Sequence, residues 1–593
     1  MLMKIEKDRL TLDGEEFYLA CGDFQYFRSL PCDWKSRLEA MKDFGLTAVQ
    51  TYCAWNLHEK NEGEFDFSGM LDLGKFLELC DEVGLKVLLR PSPYICGEWD
   101  FGGLPWWLLK DRHTRVRCSD PVFLEKVSAY YKRLCEEFVP CLSTNGGPVI
   151  AVCVENEYGT FASDLDYLRF LADELRKNGV DVPLYQTDCT EQGIRATKPL
   201  GIWQATNYRI ESETAVPKLR EIQPDMPPFV GEYWSGRAVY WGESGARRDV
   251  KSVAAGYRKA LDLGAYLSFY MFTGGTNFGF MNGSRVTKPF DGRGESVFRA
   301  ITTSYDCDGL ISEDGTLTEK YYACRNELDE YLGKPVRNYR LSDPEFQETE
   351  CRLTGIAPLF ENLGRLSKPV KAPEPLTFEE LGCPFGFVLY RAGLPALFDR
   401  ELPIVIKDVR DRAMVFVDGE FMGTFTRDRA LPAIKCRADK PHRLDILVEN
   451  LGRVNSRPFF GEEKGIGDVN YGVAKVNGFE CFPLGLDNIG ALSYEPLGAA
   501  SGIACPTFLR GRFSAKPGVP THLDTRGFGK GVAFVNGFNL GRYWEIGPQQ
   551  TLYIPGELLR EENELVIFEL EHAKSDVKFI KTAVMDEFHP ELV

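Results

Sequence analysis

Two segments of this chain place carboxylates directly after apolar runs. GGPVIAVCVENEYG (146–159) contains Glu155 and Glu157, and PFVGEYWSG (228–236) contains Glu232. Two carboxylates that face each other across a pocket can cleave a glycosidic bond: one delivers a proton to the leaving oxygen and the other attacks as an anion. Burial and the charge of the partner both raise the pKa of the proton donor. The pattern therefore predicts glycoside hydrolysis, with retention of configuration if the carboxylates lie about 5–5.5 Å apart.

Other residues near these segments extend the prediction. By the alternation of side chains along a strand, we expect Glu155 and Glu157 to share a face. A third carboxylate, Glu98, follows the apolar run that ends at Arg90. Two interpretations of Arg90 stay open: it orients a catalytic carboxylate, or it pairs with Glu155.

The residue types that hold metals or cofactors form no motif. The 17 cysteines contain no C-x-x-C pair, and the six histidines form no H-E-x-x-H. We therefore expect no metal and no cofactor. Charged residues at the N-terminus replace the apolar run of a signal peptide, and no stretch reaches the ~18 apolar residues of a membrane span. A cytoplasmic protein with reduced thiols is the resulting expectation.

The elements that must position the carboxylates are predicted by periodicity. Eight short apolar runs alternate with amphipathic helical stretches over the first 330 residues, which is typical of a (β/α)₈ barrel. A doubly wound open sheet is the alternative fold, but the glycine motif G-x-G-x-x-G that often follows the first strand of such a sheet is absent after the first apolar run. Reactive groups in such a barrel project from the carboxyl ends of the strands. The predicted strands are Phe17–Phe24, Thr47–Trp55, Leu85–Ser92, Pro148–Glu157, Pro183–Cys189, Leu200–Thr206, Pro228–Trp234 and Ala265–Thr273.

The sequence after residue 330 has a different hydrophobic pattern, in which short runs of alternating apolar and polar residues are followed by residues typical of hairpin turns. Asp418-Gly419 and Asn536-Gly537 each follow a strand-like run. We predict two β-sandwiches after the barrel. The predicted division is a TIM barrel at 1–330, a linker with connecting strands at 331–384, and sandwiches at 385–482 and 483–593.

Size and charge narrow the function classes further. A chain of 593 residues is too long to fold around a single hydrophobic core. Its net charge of −17 argues against nucleic acid or an anionic membrane as the main partner. We expect neither as a partner, and the oligomeric state stays open.

The quoted motifs resemble glycoside hydrolase family 35, the β-galactosidases, over nearly the whole chain. The resemblance implies that Glu157 is the acid/base and Glu232 the nucleophile. It also implies a set of sugar-binding residues, with Gly97 acting through its backbone amide. These are Tyr52, Gly97, Glu98, Asn156, Trp234, Tyr270 and Tyr305.

Several positions depart from the family pattern. Arg237 stands where members usually carry Trp, and Cys153, Gly97 and Thr273 also differ from the usual residues. Arg237 is expected near the subsite of the leaving group, where a cation changes which aglycone fits.

The resulting hypothesis is a retaining exo-β-galactosidase acting on oligosaccharides or glycoconjugates with terminal β-galactose. One alternative is a related exo-β-glycosidase or transglycosylase that prefers a glucoside or glucosaminide. The other is a carbohydrate-binding protein without enzymatic activity.

Overall fold

The computed structural model describes residues 1–245, 247–286, 298–427, 434–456, 459–498, 505–587 and 589. Eight parallel strands, β1 to β8, close into a barrel in chain order. All eight predicted strands are present, which confirms the (β/α)₈ barrel. Their bounds are β1 Ala20–Asp23, β2 Ala48–Tyr52, β3 Lys86–Arg90, β4 Val149–Asn156, β5 Leu184–Asp188, β6 Trp203–Tyr208, β7 Phe229–Trp234 and β8 Tyr266–Tyr270.

Helices surround the barrel and bury one apolar face against it. Gly45 and Gly84 end the first two in the left-handed conformation, at φ 110° and 80°, where a side chain would be strained. The main helices are α1 Pro31–Phe44, α2 Leu73–Val83, α3 Pro121–Phe138, α4 Leu165–Lys177, α5 Glu191–Thr197, α6 Ser212–Ile222, α7 Val250–Asp262 and α8 Glu319–Tyr331. Two short helices, Trp55–His58 and Tyr158–Phe161, follow β2 and β4.

A small antiparallel sheet precedes the barrel. Its strands are Met3–Ile5, Leu10–Leu12 and Glu15–Glu16. Met3 and Leu10 are buried in one cluster with residues from inside the barrel. This sheet therefore covers the amino-terminal end of the barrel and leaves the carboxyl end for chemistry.

Two hairpin-like pairs extend the carboxyl end of the barrel. Gly275–Thr276 pairs with Ser304–Tyr305, and Ser284–Val286 pairs with Phe298–Ala300. Both pairs come from the long connection between β8 and α8. They bring Tyr305 and Arg285 to the mouth of the barrel.

The first β-domain consists of two antiparallel sheets around a common core. The predicted Asp418-Gly419 turn joins two of its strands, with φ 51° and 89° at these residues. The six-stranded sheet contains, in order, Val370–Ala372, Phe479–Leu484, Phe387–Leu394, His442–Glu449, Arg412–Val417 and Glu420–Thr426. The four-stranded sheet contains Lys435–Arg437, Glu401–Ile406, Val469–Tyr471 and Ala474–Lys475.

The last β-domain is one nine-stranded sheet that folds over its own core. Its order is Phe538–Trp544, Lys530–Val535, Glu562–Glu569, Thr507–Ser514, Thr349–Pro358, Asp576–Ile580, Thr521–Asp524 and Thr551–Ile554, with Glu495–Pro496 paired to Thr349–Pro358. Thr349–Pro358 comes from the stretch predicted to connect domains, yet it pairs on both sides inside this sheet. The helix Leu359–Leu366 follows it. The predicted domain boundaries themselves stay predictions.

The first β-domain supports the loops at the barrel mouth. Arg453 donates its backbone N–H to Asp100 Oδ1 at 2.7 Å, and Tyr94 donates to the carbonyl oxygen of Asn455 at 2.6 Å. Ser284 donates its backbone N–H to the Arg453 carbonyl oxygen at 3.2 Å. Two loops of the barrel are therefore held by one segment of another domain.

Candidate active site

The two predicted catalytic carboxylates stand at the carboxyl ends of β4 and β7. Glu232 lies within β7 and is 5% exposed, opposite Asn207 in the register of β6. Glu157 is the first residue after β4 and adopts the left-handed conformation, with φ 52° and ψ 34°. Its backbone N–H donates to the carbonyl oxygen of Thr187 at 3.1 Å. This conformation costs a non-glycine residue about 1–2 kcal/mol.

Glu232 receives three hydrogen bonds. Tyr52 and Arg90 donate to its Oε1 at 2.6 and 2.7 Å, and Trp234 Nε1 donates to Oε2 at 3.0 Å. Both oxygens therefore have donors, one of them a guanidinium. Hydrogen bonds to a carboxylate stabilise its negative charge.

Glu157 has a different environment. Among the described residues, its carboxylate receives one side-chain hydrogen bond, from Asn207 Nδ2 to Oε1 at 2.9 Å. Burial, followed by the negative charge of Glu232, raises the pKa of Glu157 to about 7, and the Asn207 hydrogen bond opposes this shift. A carboxyl group with such a pKa still carries its proton near neutral pH.

Arg90 connects the two carboxylate segments. It is fully buried, and its Nη2 donates to Thr187 Oγ1 at 2.8 Å and to Asn156 Oδ1. Its Nη1 donates to Glu232, and its guanidinium lies 4.2 Å from the centre of the Tyr52 ring. Of the two interpretations of Arg90, the pairing with Glu155 is wrong, because Arg90 pairs with the predicted nucleophile Glu232 and Glu155 pairs with Arg117.

Glu155 lies outside this arrangement, and the expectation that it shares a face with Glu157 is wrong. Arg117 Nε and Nη2 donate to its two oxygens, each at 2.9 Å, and both side chains are buried. Glu155 faces the helix layer. Burial raises the pKa values of Tyr131 of α3 and Tyr167 of α4, and the negative charge of Glu155 raises them further. The pairing of β4 with β5 shifts register between Cys153 and Asn156, and this irregularity breaks the alternation before Glu157.

Arg117 also supports the end of β4. Its Nη2 donates to the carbonyl oxygen of Asn156 at 2.8 Å. Its guanidinium lies 3.5 Å from the centre of the Tyr94 ring and 4.1 Å from that of Phe161. The ion pair with Glu155 thus holds the backbone that carries Glu157.

Glu98, Tyr270 and Tyr305 form a second group of polar side chains at the barrel mouth. Tyr305 donates to Glu98 Oε2, and the hydroxyls of Tyr270 and Tyr305 lie 2.9 Å apart. The rings of Tyr270 and Tyr52 are 6.3 Å apart, which links this group to Glu232. Arg285 Nη2 lies 3.2 Å from Glu98 Oε1.

The segment before Glu98 has an unusual backbone. Cys96, Gly97 and Glu98 all have positive φ, of 55°, 56° and 46°. The carbonyl oxygen of Gly97 accepts from Arg28, whose guanidinium lies 3.7 Å from the centre of the Tyr305 ring. The structure therefore brings all nine predicted site residues into one network of contacts, while the roles of individual residues stay predictions.

The sequence prediction missed two residues in this network. Asn207 is the penultimate residue of β6, one position beyond the predicted strand end at Thr206. The rule that polar groups at barrel strand ends deserve weight could have found it. Arg285 had no comparable signal, because its strand belongs to the connection after β8.

Donor groups suited to a metal lie elsewhere in the described part of the chain. Glu545, Glu571 and His572 place one ligand atom each within 4.8 Å of one another. Arg412 already pairs with Glu571. This group belongs to the last β-domain and takes no part in the barrel site.

Among the helices of the described residues, none combines the length and the apolar composition that a membrane crossing requires.

Three protein-family models match segments of this chain. A family model described as glycosyl hydrolases family 35 matches residues 9–331. Models of the first all-β domain and the galactose-binding domain of β-galactosidase match residues 375–485 and 506–564.

Relatives match over nearly the full length. The β-galactosidase of Mus musculus is 36% identical, over 98% of this chain and 94% of its own. That of Homo sapiens is also 36% identical, over 96% and 87%. A β-galactosidase-1-like protein of Mus musculus is 37% identical, over 98% and 91%.

Proposed function

Because the chain belongs to glycosyl hydrolase family 35, we propose that it is a retaining exo-β-galactosidase. It removes terminal β-galactose from the non-reducing ends of oligosaccharides or glycoconjugates. The observation that carries the mechanism is the asymmetry of the two carboxylates. Glu232 has three donors that stabilise a negative charge, whereas burial and Glu232 keep the pKa of Glu157 near 7.

In the first step Glu157 is the acid and Glu232 is the nucleophile. The Glu157 carboxyl proton passes to the glycosidic oxygen as the bond from that oxygen to the anomeric carbon breaks. A Glu232 oxygen attacks the anomeric carbon from the opposite face and forms a galactosyl ester. Arg90 and Tyr52 orient the attacking carboxylate.

In the second step Glu157 acts as the base. Its carboxylate takes a proton from a water molecule, whose oxygen attacks the anomeric carbon and displaces Glu232. Once the ester forms, the negative charge of Glu232 is gone, so one cause of the raised Glu157 pKa disappears. The pKa of Glu157 should then fall, which favours its new role as a base.

We propose that Glu98, Tyr270 and Tyr305 bind the hydroxyl groups of the sugar. Asn156, held by Arg90, is suited to the 2-hydroxyl next to the reacting carbon. Carboxylate, amide and phenol groups match the acceptors and donors of a hexose. The network supports one terminal sugar, because Glu98 and Arg285 occupy its far side.

Azide rescue separates the roles of the two glutamates. Glu232→Ala should lose activity, and added azide should restore turnover with an α-galactosyl azide product. Glu157→Ala, tested with a galactoside of a good leaving group, should give the β-galactosyl azide through the intact nucleophile. Interchanged product configurations would reverse the assignment, and no rescue in either variant would count against the mechanism.

A panel of 4-nitrophenyl β-glycosides tests the sugar. The galactoside should be hydrolysed with a kcat/KM well above those of the glucoside and the N-acetylglucosaminide. Preference for either of the others would favour the related-glycosidase alternative. Binding of galactose without turnover of any member would favour the carbohydrate-binding alternative.

We also propose that the protein works in the cytoplasm. No disulfide joins any of the 17 cysteines, all of which lie in the described part of the chain, and most are buried as small apolar side chains. Imaging of the tagged native chain in its own cells tests this location. A signal confined to an oxidising compartment would contradict it.

A further inference from the structure

The strand that carries Glu232 contains a β-bulge at Gly231. Against β6, the residues on either side of Gly231 pair with two successive residues, so Gly231 is the extra residue of β7. The pairing of β7 with β8 is shifted over the same stretch. A bulge interrupts the ladder of backbone hydrogen bonds and changes the direction of the side chains beyond it. The direction of Glu232 therefore depends on what holds the backbone at Gly231.

Gln50 of β2 supplies a hydrogen bond to this bulge. Its side-chain Nε2 donates to the carbonyl oxygen of Gly231 at 3.0 Å, and the side chain is fully buried. Gln50 lies two positions before Tyr52, which donates to Glu232 Oε1. Side chains two positions apart on a strand point to the same face. β2 thus contacts both the backbone before Glu232 and its carboxylate.

Two further side chains orient the amide of Gln50. Its Nε2 also donates to Asp23 Oδ2 of β1 at 3.3 Å, and the hydroxyl of Tyr185 on β5 donates to its Oε1 at 3.1 Å. Asp23 and Gln50 are partners in the register of β1 and β2. A side-chain amide has donors on its nitrogen and acceptor sites on its oxygen. An acceptor at Asp23 and a donor at Tyr185 therefore both favour the orientation in which Nε2 faces Gly231.

The environment of Asp23 favours a neutral carboxyl group. Asp23 is fully buried, and among the described residues its Oδ1 has no hydrogen-bond partner. Arg90 forms its ion pair with Glu232. Burial raises the pKa of Asp23 well above its usual range; the positive charge of Arg90 opposes this rise, and the negative charge of Glu232 adds to it. A neutral Asp23 still accepts from Gln50 and leaves the guanidinium of Arg90 to Glu232.

The bulge is also packed closely against the neighbouring strands. A Cβ atom on Gly231 would lie 2.9 Å from Thr187 Cγ2 and 3.1 Å from Ala205 Cβ, closer than such contacts allow. Thr187 in turn accepts a hydrogen bond from Arg90 through its hydroxyl. A shift of the Gly231 backbone would therefore disturb Arg90 as well as the residue that follows in β7.

We propose that Gln50 and Asp23 are positioning residues that hold the bulge at Gly231 and thereby the direction of Glu232. This inference rests on the proposed β-galactosidase activity and specifies how its nucleophile is aligned. Both residues act through the backbone, because the donors described for the Glu232 carboxylate are other side chains. Small misplacements of a reacting group lower the rate of its reaction strongly, while binding of the sugar is affected much less.

The test measures how fast Glu232 forms its covalent bond. With 2,4-dinitrophenyl 2-deoxy-2-fluoro-β-galactoside, a Glu232 oxygen bonds to the anomeric carbon and dinitrophenolate leaves with the electron pair of the broken bond. The fluorine slows hydrolysis of the ester, so labelled protein accumulates. The maximal labelling rate constant reports alignment of the nucleophile, and the reagent concentration at half this rate reports binding. The labelled fraction at completion reports how much protein is folded, so loss of folded protein does not change the rate constant.

Gln50→Met keeps the approximate length of the side chain and removes both donors. We expect the maximal labelling rate constant to fall roughly tenfold, with little change in the half-saturating concentration. Gln50→Asn shortens the side chain, should give a similar fall, and replaces Gln50→Met if that variant does not fold. Gln192→Met, at an exposed position of α5, is the matched control and should label at the wild-type rate.

Asp23 is tested with a pair of variants. Asp23→Leu removes the acceptor for Gln50 and should lower the labelling rate constant about fivefold. Asp23→Asn has the shape of the neutral carboxyl and still offers an oxygen, so it should restore most of that loss. An equal loss in Asp23→Asn and Asp23→Leu would overturn the role given to the neutral Asp23.

The position of the label separates failure of this inference from failure of the proposed function. An unchanged rate constant in the folded Gln50 variants, or an effect confined to binding or to the labelled fraction, would overturn the positioning role. A wild-type protein that hydrolyses no galactoside, or that is labelled at a residue other than Glu232, would instead refute the proposed function and this inference with it. Peptide mass spectrometry of the labelled protein identifies the residue.

Discussion

The ends of β4 and β7 carry the same type of side chain in two different environments. At the end of β7, Tyr52, Arg90 and Trp234 donate to Glu232. At the end of β4, Glu157 has a single neutral donor, and its pKa rises to about 7. The proposed roles of nucleophile and proton donor therefore depend on the neighbours that other strands supply to each glutamate, rather than on the residue type.

The largest effect should come from Glu157→Gln, which removes the proton donor and leaves the β7 end intact. We expect kcat/KM to fall about 10²–10⁴-fold for substrates with poor leaving groups, such as lactose. A 2,4-dinitrophenyl galactoside needs little protonation and should lose much less. Steady-state kinetics across a series of aryl galactosides checks this. An equal loss for all members would mean that Glu157 is not the acid.

Arg90→Lys weakens the hydrogen bonding of Glu232 at the end of β7. A lysine cannot span Glu232, Asn156 and Thr187 as the planar guanidinium does. We expect kcat/KM to fall about 10²-fold, because small misplacements of a reacting group have effects of this order. The loss should be similar for good and poor leaving groups, in contrast to Glu157→Gln. Arg169→Lys, on the surface of α4, is the control, and near-normal kinetics in Arg90→Lys would contradict the orienting role.

Asn207→Ala should change the pH profile more than the maximal rate. In the wild type, kcat/KM should decline as the pH rises through about 7, because Glu157 then loses the proton that it must deliver. The Asn207 hydrogen bond stabilises the ionised form of Glu157, so its removal raises the pKa and moves the decline to higher pH. We expect the rate at the optimum to fall roughly tenfold, of the order that a lost hydrogen bond to a charged group allows. A decline at unchanged or lower pH would contradict this.

Glu155→Gln should have the smallest effect on the chemistry and a large effect on folding. It leaves Arg117 buried without its carboxylate partner, which costs about 3–5 kcal/mol in the free energy of unfolding. Urea unfolding measures this loss, and Glu136→Gln, exposed on α3, is the control. Below the unfolding transition, kcat/KM should stay within a few-fold of the wild type. Unchanged stability with strongly reduced kcat/KM would place Glu155 in the catalytic group instead.

Much of the fold could be predicted because periodicity is a local property. Each barrel strand is a short apolar run, and seven of the eight lie within the predicted ranges, while β6 runs two residues past its predicted end. Glycines such as Gly45 mark helix ends because the left-handed conformation excludes most side chains. The strand Thr349–Pro358 was harder to place, since its partners lie more than 140 residues away in the chain.

The candidate site was predicted less completely. Glu157 and Glu232 follow from strand ends, but the separation of Glu155 from Glu157 depends on a register shift of β4 against β5 between Cys153 and Asn156. Side-chain alternation cannot anticipate that irregularity. Asn207 and Arg285 contact their partners across 50 and 187 positions of sequence, and spacing carries no information at that range.

By itself, the sequence determined the order of strands and helices, the two carboxylates and the β-rich second half. These follow from hydrophobic periodicity and from the types of residue at strand ends, which act over a few neighbouring positions. Only the tertiary structure decided which glutamate is buried against Arg117 and which is held by Arg90. Those outcomes depend on distances between side chains that the barrel closure brings together, and electrostatic interactions act through space rather than along the chain.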